Sequence, residues 1–88
     1  MSTTYRRSPA AIWRASEQLL VAAVPPDAPT RMAGSASLVW QWLARPITLD
    51  DLVGALVEHT GVDAGVIQRD VQGLLDALVP LRLVEVME

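Results

Sequence analysis

His59 is the single histidine of the chain, and no cysteine accompanies it. A metal site there would need carboxylates, and the nearest, Glu58, is its immediate neighbour. Adjacent residues on a helix point in different directions, so the two do not converge on an ion. His59 reads as a surface residue near a helix end. Asp50-Asp51 has the composition of a general-acid pair, but adjacent positions diverge in the same way, and acids suit the positive end of a helix dipole. The five glycines are scattered and make no phosphate-cradling loop. No Ser/His/Asp or Cys/His set can be assembled. The residues predict no catalytic group, no metal ligand and no cofactor, and an enzyme is the last reading they favour.

Charge is more informative than reactivity. The chain carries seven arginines, ten acids and no lysine, for a net charge of −3. Residues 1–48 stand at +3 and residues 49–88 at −6. The acidic half would repel a phosphate backbone rather than gather it. At 88 residues and 51% hydrophobic content, one folded domain with its own core is expected. The longest apolar runs, Leu19–Pro26 and Leu78–Leu81, fall far below the roughly 20 residues of a membrane span. Without cysteine nothing points to an oxidising compartment, and a cytoplasmic location is expected.

The elements that must position any site follow from period and punctuation. Residues 1–8 are polar and read as a flexible N-terminus, and residues 9–88 as a single domain. Ala10–Arg14 and Gln18–Val24 read as strands joined at Ala15-Ser16-Glu17, with Pro25–Pro29 as a stiff turn. Thr30-Arg31-Met32-Ala33 reads as a short third strand, since a proline suits the entry to an edge strand. Gly34-Ser35 opens a first helix with Ser35 as candidate cap. Its apolar stripe is Ala36, Val39, Trp40 and Leu43, with Leu38 and Trp42 as a second stripe. Thr48 caps a second helix with the stripe Leu49, Leu52, Val53, Leu56 and Val57, and Gly61 stops it. Asp63 caps a third, with Ile67, Val71, Leu74, Leu75 and Leu78 facing the core and Pro80 ending it. Leu83–Val86 is a terminal strand or an extended tail. The expected class is α+β, an N-terminal three-stranded antiparallel sheet followed by three helices, like a winged helix-turn-helix. All three tryptophans are expected to supply the bulk of the core, with partial exposure as an anchor for a partner the alternative for Trp13 and Trp42.

Several stretches together resemble the pyrroloquinoline-quinone synthesis D (PqqD-like) family. They are Trp13-Arg14, the run Gly34-Ser35-Ala36-Ser37-Leu38-Val39-Trp40-Gln41-Trp42-Leu43, and Pro46-Ile47-Thr48-Leu49-Asp50-Asp51-Leu52-Val53. The last is Val66-Ile67-Gln68-Arg69-Asp70-Val71 running into Leu74-Leu75-Asp76-Ala77-Leu78. The likeness spans roughly Ser8 to Val86. It departs from the family in the Pro25-Pro26-Asp27-Ala28-Pro29 turn, and in Pro80-Leu81-Arg82-Leu83 where a glycine usually follows the third helix.

The resemblance implies a recognition element that captures the leader of a ribosomally made precursor peptide. The leader would add to the free edge of the third strand, in the groove against the third helix, and be presented to a modifying enzyme such as a radical-SAM enzyme, protease or cyclase. Carried onto this chain, the implied site is Thr30, Arg31, Met32 and Ala33 on the strand, with Val66, Arg69, Asp70, Gly73 and Ala77 on the helix. Gly73 and Ala77 either let a peptide approach closely or let helices pack tightly. Rival readings are a winged-helix DNA-binding protein and a structural subunit or small dimer built on Trp42 and Leu38. The outer face of the third helix (Gln68, Arg69, Gln72, Asp76) carries one cation, which is poor for phosphate contact. No nucleic acid or membrane partner is expected, and the state is monomer or homodimer.

Overall fold

The computed structural model describes residues 3–88; the first two residues of the expected flexible N-terminus lie outside them. Four strands come first: β1 (Thr4–Arg7), β2 (Ile12–Ala15), β3 (Leu20–Ala23) and β4 (Thr30–Met32). Helix α1 (Ser35–Trp42) follows, then the two-residue β5 (Ile47–Thr48), α2 (Leu49–Thr60), α3 (Ala64–Leu78) and β6 (Val84–Met87). The class is α+β, but with two sheets where one was expected. β2-β3-β4 form the anticipated antiparallel sheet, and β5-β1-β6 form a second.

The second sheet corrects one reading and decides between the alternatives of another. Thr4–Arg7 is not a loose end: it pairs antiparallel with Val84–Met87 along its whole length, Thr4 opposite Met87 and Arg7 opposite Val84. Leu83–Val86 is not an extended tail, since its strand is what pairs with β1. Tyr5 and Thr4 also pair with Ile47 and Thr48. Opposite charges meet across the ladder, where Arg6 donates from Nη2 to Glu85 Oε2 at 2.9 Å.

The helix signals are realised with one exception. Thr48 Oγ1 accepts from Asp51 N–H at 3.1 Å and caps α2. Gly61 ends it in the left-handed region at φ 71°. Asp63 Oδ2 accepts from Gly65 N–H at 3.0 Å and caps α3. Ser35 is not a cap; α1 starts on it, and Gly34 stands at the N-cap at φ 60° with no side-chain bond. The missing glycine after α3 is replaced by Arg82, which takes the left-handed position itself at φ 63°. The helix then closes as a Schellman motif, with Leu83 N–H donating to Leu78 C=O at 3.2 Å and Arg82 N–H to Val79 C=O at 2.9 Å.

One core joins the layers. Leu20, Ala22 and Met32 from the first sheet meet Val39, Trp40 and Leu43 of α1, Leu52 and Leu56 of α2, and Ile67, Val71, Leu75 and Leu78 of α3. Leu83 and Val84 close it from the second sheet. Trp40 is fully buried, whereas Trp42 is 45% exposed. Trp13, 40% exposed, packs edge-on against Trp40 at 6.3 Å between ring centroids. The Arg7 guanidinium lies over both rings, 4.9 Å from that of Trp13 and 5.6 Å from that of Trp40.

Candidate functional site: an open strand edge and the groove beside it

β4 is an edge strand, paired on one side only, with Leu20 opposite Met32, Val21 opposite Arg31 and Ala22 opposite Thr30. Which of its backbone groups are free follows from the adjoining hairpin. Ser16 N–H donates to Leu19 C=O at 2.8 Å and closes the β2–β3 turn as a hydrogen-bonded pair. Bonded and non-bonded pairs alternate along an antiparallel ladder. Ala15–Leu20 is therefore non-bonded and Arg14–Val21 bonded, in the register observed. Val21 turns its backbone groups to β2, leaving Leu20 and Ala22 to bond Met32 and Thr30. The N–H and C=O of Arg31 thus point to the open edge. Pro29, with no N–H, precedes them.

Side chains alternate the other way. Met32 is buried at 3% exposure, packing inward with Leu20 and Ala22, while Arg31 is exposed on the outer face. Arg31 therefore presents both its backbone and its side chain, whereas Met32 is a core residue whose backbone is spent on β3. Ala33 follows as an exposed residue leading into α1.

Where β4 runs into α1, a groove of about 160 Å³ opens between the helices. Ser35, Ala36 and Val39 of α1, Leu56 of α2 and Ile67, Asp70, Val71 and Leu74 of α3 line it. The lining is apolar but for Ser35 and the Asp70 carboxylate at its rim. Of the five helix residues picked out in the sequence, Asp70 lines this groove. Val66 and Ala77 lie on the same flank by helical spacing, both exposed. Arg69 and Gly73 line a separate, shallow surface with Gly65, Gln68, Gln72 and Asp76. A Cβ built on Gly73 meets nothing within 4 Å, so that glycine serves no tight helix packing.

The α1 wall and Leu56 went unnoticed in the sequence. Ala36, Val39 and Leu56 look like any core-stripe residue, and Val39 and Leu56 are indeed buried, at 2% and 1% exposure; only the spacing of the helices opens a groove against them. Among the described residues there is no cluster of three or more His, Asp or Glu side chains that could hold a metal ion. None of their helices is long and apolar enough to cross a membrane.

Fold and groove together define a small α+β domain with an open sheet edge beside an apolar helical cleft. The chain belongs to the PqqD family: residues 21–84 match the family model described as coenzyme PQQ synthesis protein D (PqqD). No curated protein matches it in sequence. A solved structure of TbiB1 in complex with the TbiA(beta) leader peptide is similar over 91% of this chain and 94% of that one, with a TM-score of 0.80 at 21% identity. At that identity the likeness shows a shared fold.

Proposed function

We propose that this domain captures the leader of a ribosomally made precursor peptide by strand addition at β4 and presents it, without itself catalysing a reaction, to a modifying enzyme such as a radical-SAM enzyme, protease or cyclase. The observation that carries the reading is the outward-facing backbone of Arg31 on an open edge strand, whose chain runs on into α1 and the apolar groove that α1 lines. Backbone pairing gives affinity that tolerates sequence change, and the groove gives register through alternate side chains. Arg31 and Ala33 offer the edge, Thr30 and Met32 hold it in place, and Asp70, Val66 and Ala77 form the facing flank. Gly73 and Arg69 sit further round α3, where a longer peptide could pass. Membership of the PqqD family and the shared fold with a leader-bound protein support the same reading.

The arrangement of the first sheet with α1–α3 is read here as winged helix-turn-helix-like, put to peptide rather than DNA binding. Arg69 is the one cation among Gln68, Arg69, Gln72 and Asp76, and Gln72 Nε2 donates to Asp76 Oδ1 at 2.9 Å rather than projecting freely. Such a face is a poor phosphate reader. We place the activity in the cytoplasm, where precursor peptides are made, and the working form as monomer or homodimer.

Proline at position 31 tests the idea directly. It deletes the outward N–H, and proline is tolerated on edge strands when that group faces solvent. Arg31→Pro should keep its circular dichroism spectrum and lose at least about tenfold in affinity for a labelled leader peptide, read by fluorescence anisotropy. Arg31→Ala separates the side chain from the backbone. Equal affinity in Arg31→Pro and Arg31→Ala would rule strand addition out. Proline at Met32 is the wrong test, because it removes a bond to β3 inside the sheet.

A further inference from the structure

We infer that the peptide taken up at β4 belongs to a definite sequence class: an acidic residue with an apolar residue on each side, the acid pairing with Arg31. This rests on strand addition at β4 and adds the chemistry that the added strand must carry. The first observation is register. Arg31 turns its N–H and C=O to the open edge, so the peptide residue opposite it forms a bonded pair and shares its face. That face is the outer one, where the Arg31 side chain is exposed. The residues on either side of that pair must point inward. There they extend the rows of Thr30 and Met32 on the inner face of the sheet, where Met32 is buried against Leu20 and the helices. Apolar side chains are favoured at both places. The resulting pattern reads the same in either strand direction, so it does not depend on whether the peptide runs parallel or antiparallel to β4.

Charge on the outer face is the second observation. Arg14, Val21 and Arg31 occupy one cross-strand row, Arg14 opposite Val21 and Val21 opposite Arg31. The two cations stand on the same face about 10 Å apart, two strand spacings. The salt bridges among the described residues join Arg6 to Glu85 and Arg82 to Asp27, and neither Arg14 nor Arg31 takes part in one. An acid on the added strand would sit beside Arg31, about one strand spacing away, while Arg14, about 14 Å off, is largely screened from it. A cation there would meet the like charge of Arg31. A second copy of this sheet is disfavoured as occupant for the same reason, since it would bring four arginines together.

A random twelve-residue display library panned on the full chain provides the probe. Enriched peptides, with versions in which the acid is replaced by Lys, are then labelled and titrated by anisotropy against the native chain and Arg31→Glu. The expected result is enrichment of apolar–acid–apolar triplets. The Lys version should bind the native chain about threefold or more weakly, the order inverting in Arg31→Glu. The Arg31 side chain is exposed, so the variant should fold; circular dichroism checks this, and Arg31→Gln, which abolishes the preference without inverting it, stands in if it does not. Enriched peptides that bind without charge preference, yet lose affinity in Arg31→Pro, overturn this inference and leave strand addition standing. No enrichment, or enrichment indifferent to Arg31→Pro, removes both.

Discussion

Arg82 takes the place at the end of α3 that a glycine usually fills in the family. The sequence has no glycine after α3, which looked like a departure in the helix end itself. The end is nevertheless an ordinary Schellman closure, with Arg82 carrying the left-handed conformation that glycine adopts without strain. A non-glycine residue there costs about 1 kcal/mol. Its compensation is an ion pair to Asp27 at 3.0 Å, with both side chains largely exposed, at 62% and 43%. Exposed pairs of this kind contribute little. Arg82→Gly should therefore stabilise the domain, by about 0.5 kcal/mol or somewhat more, despite losing the pair. Urea unfolding decides it, and a destabilised variant would mean that the Asp27 contact outweighs the backbone strain. Gly73 offers a second reading at this scale. Because a Cβ there meets nothing within 4 Å, Gly73→Ala should raise stability by about 0.8 kcal/mol through helix propensity alone. A lower melting temperature would show that the position is less open than it looks.

At the scale of elements, what was legible depended on whether the signal was local. Thr48, Gly61 and Asp63 delimit α2 and α3 because capping groups bond to residues two to four positions away, and such spacings are visible in a sequence. Thr30–Met32 was legible for a similar reason, with Pro29 before it and Gly34 after. β1 was not. Thr4-Tyr5-Arg6-Arg7 has no hydrophobic alternation, and the strand exists because β6, some 80 residues on, pairs with it. Nothing within a short window carries that information. The groove was half-legible, and only through the family resemblance, which implied the flank of α3 that bears Asp70; the opposite wall on α1 depends on how far apart the helices stand. Removing residues 1–7 tests the element directly. The truncated chain should lose the ladder to β6, uncover Leu83 and Val84, and fall by roughly 2 kcal/mol or more in unfolding free energy. Hydrogen exchange should show the loss first in the amides of β6. Unchanged stability would mean that β1 is an ornament on a domain complete without it.

For the molecule as a whole, the question is what makes two small sheets and three helices one body. Hydrophobic continuity is part of the answer, since Leu83 and Val84 enter the same core as Leu20 and Met32. The other part is Arg7. It ends β1 in the second sheet, yet its guanidinium lies over Trp13 of the first sheet and over Trp40 of α1, at 4.9 and 5.6 Å. Two indoles meeting edge-on with a cation over both is a contact among three elements that pairing alone does not connect. A cation over a partly desolvated ring contributes about 0.5–2 kcal/mol. The two indoles attract each other regardless, so Arg7→Ala should cost about 1–2 kcal/mol rather than unfold the domain. Arg7→Lys should recover only part of this, because a compact ammonium lacks the flat face that stacks on both rings. The near-ultraviolet dichroism of the tryptophans should weaken in Arg7→Ala while the far-ultraviolet spectrum holds, as the sheets loosen against each other with their own ladders intact. If the near-ultraviolet signal and the urea midpoint are both unmoved, the second sheet is held by Leu83 and Val84 in the core, by Tyr5 and Ile47 against it and by the Arg7 N–H to Leu43 C=O bond at 2.8 Å, without help from the cation. Either way β4 and its groove lie on the opposite side of the first sheet's central strand from Trp13, so peptide affinity should change less in Arg7→Ala than in Arg31→Pro.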